Sequence, residues 1–162
     1  MSSSTLSATD ICCVLFSRGD GSFHWAIVVP SSTSNMADVF HARNPEGFWE
    51  FEQTKVDVSN SKHVCVVVKI GTVTSTDTVG RILQLVQNIP MGIPAFEVGR
   101  VELTFTCRVW FKQAIRVLHA NGILSCPNVY ALEQELVLYG RAQDRKTRSG
   151  LGYKYHVAST SR

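Results

Sequence analysis

The chain has 162 residues, 44% of them hydrophobic and 18% charged, with a formal net charge of +3. That length suits one domain with its own core and is short for two, and so small a positive balance does not by itself call for a nucleic-acid partner. Five cysteines, two of them adjacent and none in a C-x-x-C pair, suggest neither a disulfide framework nor a structural zinc site and fit reduced thiols in the cytoplasm.

Residues 1–9 are Ser/Thr-rich, without a basic start or an apolar core, and are expected to be a flexible N-terminus, neither signal peptide nor anchor. No apolar run reaches membrane-spanning length. Asp10 to Arg18 is β-rich and is closed by Gly19-Asp20-Gly21. Phe23 to Val29 forms a second strand stopped at Pro30, and Ala37 to Arg43 a third, turned back by Asn44-Pro45-Glu46-Gly47. Phe48 to Val56 and Lys62 to Val73 complete an antiparallel meander, the last strand valine-rich and central. Helical spacing of Val79, Ile82, Leu83, Val86 and Ile89 follows a Thr74-Ser75-Thr76-Asp77 cap and ends at Pro90. Met91 to Phe105 is ambiguous, with Val101 to Phe105 able to form a short strand.

Thr106 to Leu118 reads as a helix capped by Thr106 and closed by Asn121-Gly122. Trp110, Phe111, Ala114, Ile115 and Leu118 form its buried stripe, and Arg108, Lys112 and Arg116 its wet side. A third helix starts at Ser125-Cys126-Pro127-Asn128 and buries Val129, Leu132, Leu136 and Tyr139. Residues 141–162 hold six Lys/Arg against Asp144 and read as a basic C-terminal tail, mostly solvated and partly docked through Tyr153 and Tyr155. The expected architecture is a single α+β domain over residues 10–140, an antiparallel sheet of five to six strands packed against about three helices.

Cys107 opens its helix, where unpaired N–H groups, the positive end of the dipole and the adjacent Arg108 favour a thiolate. Cys126, also at a helix start, is the rival nucleophile, but no histidine is placed beside it. His24 and His41 lie on consecutive strands. A simple hairpin centred near Ser32 sets them opposite one another on the face that carries Ala26, Val28, Val39 and Arg43. A helix packed on that face would bring Cys107 to His24, although a one-residue slip would separate the histidines. His63 with Cys65 reads as core packing, His119 as a helix C-terminal cation, and Trp49, Glu50 and Glu52 as an exposed strand or a cleft wall.

The segments Phe23-His24-Trp25-Ala26-Ile27, Val39-Phe40-His41 and Thr106-Cys107-Arg108-Val109-Trp110, in that order, resemble the circularly permuted papain-like enzymes of the NlpC-type superfamily, notably the lecithin:retinol acyltransferase-like group. The resemblance spans about Ser17 to Leu118. It implies a permuted papain-like fold and a hydrolase or acyltransferase in which Cys107 is the nucleophile, His24 the general base and His41 the residue that orients it. Such an enzyme would act on an amide, ester or thioester of a small molecule or peptide through a thioacyl intermediate, without a cofactor. Two other readings stay open: a non-catalytic binding or scaffold module on the same fold, and a zinc protein using His24, His41 and Cys107.

Overall fold

A computed structural model describes residues 6–97 and 102–162. Five strands, β1 (Asp10–Ser17), β2 (Phe23–Pro30), β3 (Ala37–Arg43), β4 (Glu50–Val56) and β5 (Val64–Thr72), precede three helices, α1 (Thr78–Val86), α2 (Cys107–Ala120) and α3 (Val129–Arg148), and a last strand β6 (Lys154–Val157). The sheet order is β4-β3-β2-β1-β5-β6, antiparallel except where β6 runs parallel to β5. The fold is therefore α+β, as the order of strands and helices in the chain implies.

The two sheet faces differ in the size of their side chains. Ile11, Cys13, Leu15, Trp25, Ile27, Phe40, Val66, Val68 and Ile70 project from one face and meet Trp110, Phe111, Ile115, Leu118, Leu132 and Leu136 of the helices. The other carries Cys12, Val14, Ala26, Val28, Val39 and Val67, covered by Val58, Leu6, Tyr153 and Tyr155. Helices with bulky apolar stripes bury most surface against the bulky face, which fixes the side on which they pack.

Thr106 caps α2, its hydroxyl accepting from Val109 N at 3.4 Å, and Gly122 at φ 73° ends it. The side of α2 expected to be wet is enclosed: Lys112 is fully buried, its Nζ lying 2.8 Å from Glu102, 3.4 Å from Glu133 and 3.5 Å from Glu97. The segment after α1 and the start of α3 fold over that side and bring these carboxylates to it. Residue 101 of the suggested short strand lies outside the described residues; Leu103 to Phe105 is irregular.

The basic tail is also revised. Asn128 caps α3 through Ala131 N at 3.1 Å, and α3 continues eight residues past Gly140 because Gln143, Asp144 and Thr147 are buried against the sheet. A Cβ on Gly140 would stand 2.9 Å from Phe23 Cζ, so this glycine permits close approach and does not stop the helix. Residues 154–157 then join the sheet as β6. The cations of this segment lie on the outer side of structured elements.

Candidate active site

The β2–β3 register pairs Ile27 with Phe40 and Pro30 with Ala37, two residues away from the simple hairpin expected. An even shift preserves the face, so His24 and His41 remain neighbours, now on the diagonal. His24 Nε2 lies 2.6 Å from His41 Nδ1, and the rings meet edge to face at 4.9 Å. His41 Nε2 is 3.0 Å from Glu52 Oε1, and Arg43 Nε is 3.0 Å from Glu52 Oε2. A carboxylate only accepts, so His41 donates to Glu52 through Nε2 and accepts from His24 Nε2–H through Nδ1. Burial, helped by the neighbouring His41 and the Arg18 charge, holds the His24 imidazole down at about 4. Glu52 is the member the sequence reading did not assign; it faces His41 directly across β3 and β4, which alternation within β4 indicates.

Cys107 is not part of this arrangement. It belongs to the helix-covered core with Cys13 and Trp25, and Trp25 packs on Phe111 of α2 at 5.3 Å. His24, between Phe23 and Trp25, points to the opposite face with Ala26. The expected Cys107–His24–His41 constellation is thus divided by the sheet, because α2 packs on the Trp25 side and not on the Ala26 side. The zinc reading loses its convergence for the same reason, and no three His, Cys, Asp or Glu side chains among the described residues are grouped to hold a metal.

What surrounds Cys107 is cationic. Arg18 Nη2, at the start of the β1–β2 turn, lies 3.5 Å from its Sγ. Arg18 is exposed and roofs a thiol that is itself 2% exposed. A cavity of about 240 Å³ adjoins it, with Phe23, Trp25 and Val137 as apolar walls and Arg18, Arg108 and Arg141 as cations. Arg108, expected to attend the thiol, spends its guanidinium on Glu133 and Glu102 at 2.5 and 3.0 Å. The cap on Val109 N leaves the N–H groups of Cys107 and Arg108 without intrahelical acceptors.

Burial pushes Cys12, Cys13, Cys65 and Cys126 up from the ordinary thiol range. Cys12 and Cys13 face opposite sides of the sheet, as their adjacency requires. His119 Nδ1 accepts from Cys126 N at 3.0 Å and so ties the end of α2 to the turn before α3. His63 is exposed.

No curated protein and no solved structure matches the chain. A family model described as a family of unknown function (DUF6540) matches residues 11–125, and the chain belongs to that family.

Proposed function

We propose that the protein is a thiol-dependent acyl-transfer enzyme, hydrolase or acyltransferase, in which Cys107 attacks a thioester. This keeps the nucleophile implied by the NlpC-type resemblance and replaces its imidazole partner with the Arg18 guanidinium. The observation that carries the reading is the placement of Arg18 Nη2 3.5 Å from Cys107 Sγ beside a cavity that opens on the thiol. A guanidinium and a helix N-terminus both favour a thiolate.

The missing imidazole selects the substrate. An amide releases an amine that must be protonated as it leaves, and the Cys107 cavity has no histidine to do it. A thioester releases a thiol whose pKa is ~8.5, which departs as a thiolate without a general acid. Cys107 Sγ bonds to the carbonyl carbon, the oxyanion meets the free N–H groups of Cys107 and Arg108, and the old C–S bond breaks with its electron pair on the leaving sulfur. The Cys107 proton passes to solvent before the attack, and the departing thiolate takes one up from solvent after it. Water or an acceptor nucleophile then bonds to the acyl carbon, its proton passing to solvent, and the acyl–Cys107 bond breaks with its electron pair on Sγ.

The test is incubation of the protein with S-acetyl-N-acetylcysteamine, followed by peptide mapping. Acetylation is expected on Cys107, sensitive to hydroxylamine, absent in Cys107→Ser and slowed at least tenfold in Arg18→Ala, the scale of one charge-assisted contact. Acetylation centred on Cys126, or none on any cysteine, would overturn the proposal.

A further inference from the structure

Arg18 borders a second space. Beyond the β1–β2 turn, a cleft of about 1050 Å³ lies between that turn, the loop after β4 and the end of α3. Its size is that of a site for a cofactor-sized molecule. Arg18, Lys62, His63 and Arg148 line it, and no carboxylate does among the described residues. Arg148 is fixed in place, its Nη1 donating to Gly19 O at 3.3 Å and its Nε lying 3.1 Å from Asp144 Oδ2. Asp144 in turn accepts from Ser17 Oγ at 2.5 Å. Lys62 is exposed and has no ion pair among the described residues. Ser59 and Asn60 on the same wall each donate to the Asp57 carboxylate at 2.7 Å. Asp144 offsets part of the Arg148 charge, which leaves Arg18 and Lys62 as the cations that set the sign of the cleft, and phosphate oxygens are the usual acceptors for such a set.

The small cavity at Cys107 and this cleft share Arg18, the cleft meeting the turn at Ser17 to Gly19 and the cavity at Gly21 to Phe23. A molecule whose anionic end fills the cleft can therefore present a carbonyl at Sγ, with the Arg18 guanidinium between the two ends. We infer that the substrate is a thioester whose leaving thiol carries phosphate groups, held by Lys62 and Arg148 in the cleft while its acyl group enters the Trp25 and Val137 side of the Cys107 cavity. This rests on Cys107 acting as the nucleophile. It adds the substrate class and a binding site in the cleft.

Two acetyl donors of similar reactivity separate the inference from its foundation: acetyl-coenzyme A, which carries phosphates, and S-acetyl-N-acetylcysteamine, which carries none. The readout is the rate of acetylation of Cys107 in the full-length chain at subsaturating donor and low salt. The phosphorylated donor is expected to react at least tenfold faster, and Lys62→Glu to lower the ratio of the two rates about tenfold or more, since it replaces an attraction by a repulsion. Inorganic pyrophosphate should compete with the phosphorylated donor alone. A ratio near one that Lys62→Glu does not move overturns the inference and leaves the thiol chemistry standing. A large ratio insensitive to both Lys62→Glu and pyrophosphate overturns the placement in this cleft. If neither donor acetylates Cys107, the nucleophile assignment fails and the inference falls with it.

Discussion

At the scale of single residues the molecule separates two chemistries that the sequence sets side by side. Cys107 has a guanidinium and no imidazole; His24 has an imidazole and a carboxylate relay and no nucleophile. His24→Gln is therefore expected to leave Cys107 acetylation within about twofold of the parent rate, because no hydrogen bond links the two side chains and their common neighbour, the Arg18 charge, stays in place in the variant. Loss of labelling in that variant would show that the histidine reaches the thiol after all. The histidine has its own signature in stability. Its folded-state value of about 4 lies below the ordinary 6.5, so between those two the unfolded chain binds the extra proton. The contribution is present in full above pH 6.5 and is lost as the pH falls toward 4, by at most about 3 kcal/mol. Urea midpoints at pH 7 and pH 4.5 measure it, and His24→Gln should flatten the difference; an unchanged difference would assign the acid sensitivity to another group.

At the scale of elements, two helical glycines make opposite predictions. Gly80 in α1 has nothing within 4 Å of an added Cβ, whereas at Gly140 in α3 that atom would meet Phe23 Cζ at 2.9 Å and Leu15 Cδ1 at 3.1 Å. Gly80→Ala should stabilise by about 1 kcal/mol through helix propensity. Gly140→Ala gains the same propensity but must push α3 off two packed side chains, at about 1–3 kcal/mol, so its net effect is destabilising. Thermal melts of the two variants decide it, and a stabilising Gly140→Ala would mean that α3 does not press on β1 and β2 as closely as described. In α2, Lys112→Met should cost about 3 kcal/mol, since Glu97 and Glu102 stay buried without their central cation. Arg116 still holds Glu97, which keeps the loss at that lower figure. A neutral Lys112→Met would mean that the carboxylates are reached by water.

At the scale of the whole molecule, alternation and helical spacing made most elements legible, because each strand and helix buries one side and that period is local. The Cys107 helix, its Thr106 cap and the pairing of His24 with His41 could be read that way. Which face of the sheet receives the helices is not local: it depends on the summed bulk of Trp25, Ile27 and Phe40 against Ala26, Val28 and Val39, and choosing the wrong face joined Cys107 to the histidines. The Lys112 network escaped for a similar reason, since its three carboxylates come from distant segments.

The C-terminal residues are the clearest case, and they carry the last prediction. Charge counting makes 141–162 a solvated tail, but its apolar and polar contacts lie inward. Tyr155 donates to Asp10 Oδ2 at 2.8 Å, His156 stacks on Tyr139 at 3.9 Å, and Ser161 donates to Ile70 O at 2.6 Å. Ser125 and Arg162 exchange backbone bonds at 2.7 and 3.0 Å. A chain ending at Gly150 would lose these, unpair one edge of β5 and uncover the face that Tyr153 and Tyr155 protect. Two half-buried tyrosines and a few hydrogen bonds amount to roughly 5 kcal/mol, comparable with the total stability of a domain this size. The shortened chain is therefore expected to be largely unfolded at 25 °C by circular dichroism and to lose the slow amide exchange of β5. If it instead melts within a few degrees of the parent, β6 contributes little and the segment behaves as the solvated tail its charges describe.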